Sequence, residues 1–333
     1  MIAEPPLASA PAGVSSGFAT APHLTTVTRT QGNNRALKSG AVAPEGFLFD
    51  FHEVPVLVQA FRRMVRALEF DISEMAFTTY LCAKARGTAF TALPVFLVRG
   101  FHHEAIQHNA TIGLRSPKDL EGKRVGVNRG YTVTTGVWAR GILESEYGVD
   151  LGKVTWVLSG DEHVAGYKPP ANVVPMEPGR DLADMLVAGE LAATIGVGVD
   201  HPDVAPLIPN PTEAAFAALR SRGLYPINHL VVVKDELLSA RSELAVQVFD
   251  AFVRAKNLYV EQLRAGSIGA PTATDEMYRR VLEVTGRDPL PYGIAPNRAM
   301  IDELVGHAVR QRILDQPIPV EALFAEGTED LTA

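Results

Sequence analysis

The sequence predicts an α/β protein of two lobes with a ligand cleft between them. Three observations lead there. Apolar or β-branched runs of strand length alternate with amphipathic helical stretches along most of the chain, the pattern of successive βα units. At 333 residues the chain exceeds the roughly 250–300 residues at which a single core stops growing, so two lobes are expected. Polar residues, several of them histidines, stand directly after apolar runs, where ligands bind in open α/β sheets.

Composition narrows the partners. Apolar residues make up 47% and charged residues 21% of the chain, a globular balance. The net charge is −7 and no cluster of lysines and arginines stands out, so neither nucleic acid nor an anionic membrane is an expected partner. Cys82 is the sole cysteine, which forbids an intrachain disulfide. It falls on the apolar side of a helical stretch, as a buried thiol in a reducing compartment would. Residues 1–20 are rich in Ala, Pro and Ser without the basic start or apolar core of an export signal, and they read as a flexible tail. No run of about 18 apolar residues occurs, and the expected location is the cytoplasm.

Taken in order, residues 23–30 alternate with β-branched side chains and make a first strand, followed by a polar loop over 31–40. Val54, Leu57, Phe61, Met64, Val65 and Leu68 recur at helical spacing with Pro55 in the first turn. Arg62, Arg63 and Arg66 fall on the opposite face and read as solvated. Residues 68–72 form a short strand, and Ser73 is expected to cap the helix that carries Phe77, Tyr80, Leu81 and Cys82. That corner suits an anion, which makes Ser73 and Glu74 candidate substrate contacts. Equally, Ser73 can be a plain cap and Glu74 a first-turn partner of the helix dipole.

The apolar run from Leu93 ends abruptly in Arg99, Gly100, His102, His103 and Glu104, which delivers a cation and two imidazoles to a strand end. Its bland alternative is a polar turn. A metal is not expected from His-His-Glu, because adjacent residues on an extended chain point to opposite faces, and the H-E-x-x-H pattern is absent. A new unit opens with a strand over 124–127. Gly130, Tyr131, Thr132 and Thr134 then lead into a helix with Val137, Trp138, Ile142 and Leu143 inward, a fair cradle for a carboxylate. Neither a Walker loop nor a dinucleotide fingerprint is present, so no nucleotide cofactor is implied. Residues 153–158 form a strand that ends near His163, and 191–196 another. The segment 202–211 is a Pro-rich linker. His229 stands at the mouth of the apolar strand 230–233, of the kind buried in a parallel sheet, and the remainder is helical, with Thr274 and Asn297 as caps. Lobe I thus comprises residues 21–105 and 226–333, and lobe II residues 106–225.

Local motifs are more specific than this layout. Phe70-Asp-Ile-Ser-Glu-Met75, Leu93-Pro-Val-Phe96, Arg99-x-Phe101-x-His103, Gly122-Lys-Arg-Val-Gly-Val127, Val137-Trp-x-Arg-Gly-Ile-Leu143 and Pro226-Ile-x-His229 resemble the 4,5-dihydroxyphthalate decarboxylases over most of residues 68–235. The two-lobed plan is similar to the type 2 periplasmic-binding-protein-like fold. The chain departs from the family pattern at His102, where arginine is favoured, and over residues 128–135.

This resemblance implies a cytoplasmic lyase of phthalate-type aromatic degradation that converts 4,5-dihydroxyphthalate to protocatechuate and carbon dioxide without a cofactor. The 4-hydroxyl lies para to one carboxylate, so ionising it drives electron density to the carboxyl-bearing carbon, which takes a proton as carbon dioxide leaves. One acid and one base suffice, and histidine serves as either near neutrality. His103 and His229 are the expected catalytic pair. Arg99 is the expected bidentate clamp for the retained carboxylate. Tyr131, Thr132, Thr134, His102 and His163 are further candidate substrate contacts beside Ser73 and Glu74, and the partner is a small aromatic carboxylate, with homo-oligomer formation open. The competing readings are a cytoplasmic small-carboxylate binder or sensor, which needs no acid and base, and a related enzyme of cofactor biosynthesis.

Overall fold

The computed structural model describes residues 21–333, so the expected tail over 1–20 lies outside the described residues. The chain begins with strands β1 (His23–Val27) and β2 (Leu48–Phe51), helix α1 (Arg35–Lys38) between them, and then helix α2 (Leu57–Ala67). Strand β3 (Ile72–Ala76) runs straight into α3 (Phe77–Lys84), and β4 (Phe90–Arg99) carries the chain to the second lobe. There follow β5 (Ile106–Asn109), β6 (Arg124–Val127), α4 (Thr134–Tyr147), β7 (Thr155–Leu158), β8 (Val173–Pro175), α5 (Leu182–Val187), β9 (Ala193–Ile195), β10 (Val204–Pro206) and α6 (Pro211–Arg222). The chain returns through β11 (Ile227–Lys234) and closes with α7 (Asp235–Ala240), α8 (Leu244–Ala265), α9 (Ala273–Thr285) and α10 (Arg298–Arg310).

Two sheets result, in the orders β2-β1-β3-β11-β4 and β10-β5-β9-β6-β7-β8. The first is mixed: β1 is parallel to β2 and β3, whereas β11 runs antiparallel to both β3 and β4. The apolar run of β11 therefore does not mark a parallel strand. It is apolar because Leu230 to Val233 are all fully buried in mid-sheet, which demands apolar residues whatever the strand direction. In the second sheet β6, β7, β8 and β9 are parallel, so their carboxyl ends share one edge.

Burial explains the contact between lobes. Helix α3 is buried from Phe77 to Ala83, and α4 buries Val137, Trp138, Ile142 and Leu143. The two helices pack on each other, and α10 packs on both. Trp138 Nε1 donates to the Ile227 carbonyl at 3.0 Å, pinning α4 to the start of β11. Cys82 is fully buried, and burial pushes its thiol up to about 12, so it acts as a small core residue. No helix among the described residues is long and apolar enough to cross a membrane.

Several local expectations need correction. Ser73 does not cap α3: it lies inside β3, and Ala76 occupies the cap position with no side-chain bond. Ser73 Oγ donates instead to the Glu74 carbonyl at 2.7 Å. The arginines of α2 are not merely solvated. Arg62 and Arg66 reach Asp161 of the second lobe at 2.6 and 3.2 Å, and Arg63 pairs with Glu69. Thr272, not Thr274, caps α9, through a reciprocal bond pair with Asp275. Asn297 precedes α10 without a side-chain cap bond, because its amide is engaged elsewhere.

Candidate active site

Strand register brings two distant residues together. His229 lies opposite Ala76 and Val231 opposite Glu74 on the antiparallel pair β3 and β11, so His229 and Glu74 are diagonal neighbours on one face. His229 Nδ1 sits 2.6 Å from Glu74 Oε1. The Glu74 side chain is 0% exposed and that of His229 19% exposed, so the carboxylate is sealed and the ring reaches the surface of the cleft. Glu74 also accepts from the Arg29 backbone N–H at 2.9 Å and from Gln31 Nε2 at 3.4 Å. A carboxylate on Nδ1 makes that nitrogen the donor and leaves Nε2 with its lone pair outward. Nε2 meets no protein partner among the described residues. Phe61 of α2 packs edge-on against the imidazole, ring centroids 5.2 Å apart, which limits its rotation.

The facing wall comes from lobe II. The loop after β6 presents the Tyr131 and Thr132 backbone N–H groups and the Thr132 hydroxyl, the donors expected of a carboxylate cradle. They hold the protein's own Glu162: Tyr131 N–H donates to Oε1, while Thr132 N–H and Oγ1 donate to Oε2 at 3.1 and 2.6 Å. A Cβ on Gly130 would lie 2.7 Å from that carboxylate, so glycine is needed for the approach. Tyr131, Thr132 and Thr134 are nearly fully buried and thus serve the frame in this structure, a correction to their expected role as substrate contacts. Thr134 Oγ1 accepts from the Thr78 N–H at 3.2 Å, and Thr78 Oγ1 donates to the Thr132 carbonyl at 2.6 Å, which ties the two helix starts together. Arg140 supports the loop from below: fully buried, it donates to the Tyr131 carbonyl at 2.6 Å and to Gln311 at 2.8 Å, its guanidinium 3.8 Å from the centre of the Tyr131 ring.

His163 borders the same wall. It is buried, with Nδ1 3.2 Å from Thr79 Oγ1 and its ring 6.4 Å from that of Phe61. Burial, together with the positive charges of Arg62 and Arg129, lowers its pKa to about 4, so it is neutral near pH 7. His102 is likewise lowered to about 4 by burial, while the Asn228 side chain, 2.9 Å from Nε2, works against the shift.

The expected pair His103 and His229 is held by two separate carboxylates, Glu146 and Glu74. His103 is 0% exposed, and its Nε2 lies 3.0 Å from Glu146 Oε2 on α4, in a chain of ion pairs that continues through Arg222 to Glu303. No cleft surface reaches it. Arg99 is also corrected. Its guanidinium turns inward, donates to Asn297 Oδ1 at 2.7 Å and to the Tyr225 carbonyl, and lies 4.2 Å from the centre of the Tyr225 ring. Burial lowers its pKa to about 10, and no carboxylate pairs with it among the described residues. Glu74 was in view as a polar residue, but its role as the histidine's partner needs the β3–β11 register. Glu162 carries no sequence signal beyond its place after the strand over 155–158. Among the described residues no three His, Cys, Asp or Glu side chains converge as metal ligands.

Comparison with known proteins fits both layers of this description. No family model matches the chain. Among solved structures, the alkanesulfonate-binding protein SsuA from Xanthomonas axonopodis pv. citri bound to MOPS is 18% identical with a TM-score of 0.50, covering 91% of this chain and 97% of its own. The desulfurization enzyme DSZB is 13% identical with a TM-score of 0.52, covering 92% and 97%. At such identity these similarities establish the periplasmic-binding-protein-like fold alone. A 4,5-dihydroxyphthalate decarboxylase of Pseudomonas putida is 37% identical over 171 residues, 47% of this chain and 66% of that protein. A 4,5-dihydroxyphthalate decarboxylase of Comamonas testosteroni is 32% identical over 283 residues, 80% of this chain and 85% of that protein. With that breadth of match, the chain belongs to the 4,5-dihydroxyphthalate decarboxylase family.

Proposed function

We propose that the protein decarboxylates a dihydroxylated aromatic dicarboxylate, 4,5-dihydroxyphthalate in the first instance, to protocatechuate and carbon dioxide without a cofactor. The observation that carries this reading is the His229–Glu74 pair, an imidazole with one nitrogen fixed by a sealed carboxylate and the other facing the cleft. A pure carboxylate binder has no need of such a pair. In the reaction, the hydroxyl para to the departing carboxylate gives its proton to water, which returns one to the product's phenolate at the end, and the phenolate so formed raises electron density at the carboxyl-bearing carbon. His229 Nε2, protonated, gives its proton to that carbon, and Glu74 stabilises the imidazolium beforehand. The bond to the carboxylate then breaks, carbon dioxide leaves, and its bonding electrons restore the aromatic ring. The net change replaces a carboxylate by a hydrogen.

The reading makes the partner a small aromatic dianion. Purified protein given 4,5-dihydroxyphthalate in deuterated water should release carbon dioxide and form protocatechuate with one deuterium at the former carboxyl carbon. Absence of turnover over a range of dihydroxylated phthalates, or product without label, defeats the proposal.

A further inference from the structure

With Arg99 buried in the core, the cations that meet the substrate's carboxylates must come from elsewhere. We propose that Arg29 and Arg129, one from each lobe, are the two carboxylate-binding residues of the cleft, so that a dicarboxylate is held between the lobes; this rests on the decarboxylase reading and adds to it the means of recognition. Arg29 follows the carboxyl end of β1, and Arg129 follows the carboxyl end of β6. Those two strand ends face each other, because the segments beside them touch across the cleft: Arg62 and Arg66 with Asp161, Thr79 with His163, and Thr78 with Thr134.

Each arginine is tied to the reacting group by its backbone or its field. The Arg29 N–H donates to Glu74 Oε2 at 2.9 Å, so its side chain springs from the residue that meets the carboxylate paired with His229. Arg129 acts electrostatically on His163, whose ring packs on the same Phe61 that His229 touches. Both side chains are exposed, and neither meets an acceptor among the described residues, whereas Arg62, Arg63 and Arg66 nearby are all paired. Backbone geometry singles out Arg129 further. Its φ is +69°, in the left-handed region that residues other than glycine rarely adopt. The conformation is held by its N–H donating to Ser159 Oγ at 2.8 Å and by close packing on Gly160, where a Cβ would lie 3.3 Å from the Arg129 Cα. Departure from ordinary backbone geometry at an unpaired cation beside the cleft is the kind of constraint that functional positions retain. Guanidinium groups also match carboxylates in bidentate fashion, which makes two of them a fitting complement to a phthalate-type dianion.

The test uses Arg29→Gln and Arg129→Gln, each with the corresponding lysine variant, and the double glutamine variant. Turnover of 4,5-dihydroxyphthalate is read beside calorimetric binding of phthalate, a dicarboxylate without the hydroxyls, and of benzoate, a monocarboxylate. Each single glutamine variant should raise KM and the phthalate Kd about ten- to a hundredfold. The change in kcat should stay below about threefold, a split expected when binding is lost equally from ground and transition states. The lysine variants should recover part of the loss, and benzoate should lose less than phthalate in each single variant. Unchanged KM and phthalate Kd in variants that melt as the parent does overturn the proposal. If the parent protein fails to decarboxylate the substrate yet binds phthalate with this arginine dependence, the decarboxylase reading falls and the clamp stands. If it turns over normally and the variants do too, the clamp falls and the reading stands.

Discussion

Replacing Glu74 by glutamine tests the pair at the centre of the site with the smallest change of shape. The side chain is fully buried and meets His229 Nδ1 at 2.6 Å, the Arg29 N–H at 2.9 Å and Gln31 Nε2 at 3.4 Å. Glutamine fits the same volume and its carbonyl can still accept, but the negative charge that stabilises an imidazolium is gone. Hydrogen bonds to charged groups are worth about 1.5–3 kcal/mol, roughly 1 kcal/mol more than neutral ones. If the charge matters only when the ring is protonated, the loss falls on the chemical step: kcat for carbon dioxide release should drop about fivefold with KM little changed. His229→Ala should cost more, about 10²- to 10⁴-fold, the range of general acid or base catalysis. Because Glu74 works through His229, the double variant should be no slower than His229→Ala. Product formation read by absorbance, with a melting curve for each protein, supplies the data. A Glu74→Gln protein with parental kcat and stability refutes the orienting role, and a double variant whose loss equals the product of the single losses refutes the coupling.

Other expectations follow from the same contacts. Arg99→Met removes the donors to Asn297 and the Tyr225 carbonyl, so the denaturant midpoint should fall by an equivalent of about 2–4 kcal/mol while KM of the folded protein holds; a raised KM with parental stability would return Arg99 to the substrate. Asp161→Asn cuts the Arg62 and Arg66 bridges between lobes, but all three side chains are well exposed, so stability should change by less than about 1 kcal/mol, and the loss should shrink further at high salt in thermal melts. His102 and His163 both have folded pKa values lowered to about 4 against about 6.5 in the unfolded chain. Between those limits the unfolded state binds more protons, so stability is fully present above about pH 6.5 and falls as the pH drops toward about 4; a His163→Gln protein should show a shallower loss over that window, measured by urea unfolding at each pH.

How far the sequence reveals this site depends on which physical signal each part carries. The apolar runs of β4, β6, β7 and β11 are legible because buried strands need them, and the strand mouth that carries His229 is legible for the same reason. The strands β2, β5, β8 and β10 leave little trace, since each is only three or four residues long and at least half of its positions are not fully buried. One strand end matters most. Read as ending at Ile72, β3 hands Glu74 to a helix; extended to Ala76, it places Glu74 in the ladder diagonal to His229. Arg99 shows the opposite failure. A cation at a strand end looks available to ligand, but its partner Asn297 is 198 residues away in sequence, and no local pattern announces that contact. The adjacent His102 and His103 likewise go to different partners, Asn228 and Glu146, as neighbours on an extended chain must.

The placement of the pair within one sheet has a mechanical consequence. His229 and Glu74 are held by the β3–β11 ladder of lobe I, so a change in the angle between lobes leaves their geometry intact. Contacts across the cleft are of a different kind: exposed ion pairs from Arg62 and Arg66 to Asp161, and hydroxyl bonds between Thr78 and Thr134. The exposed ion pairs are individually weak and can be exchanged for contacts to a bound ligand, whereas the Thr78–Thr134 bonds and the α3–α4 packing are buried and hold the lobes together. Under the proposed mechanism the acid–base pair is thus preassembled within one sheet, and recognition falls to side chains at the rim where the lobes face each other. On that mechanism one buried carboxylate beneath one strand-end histidine is what adds chemistry to a ligand-binding fold, because catalysis gains most from groups whose geometry needs no reorganisation at the moment of reaction.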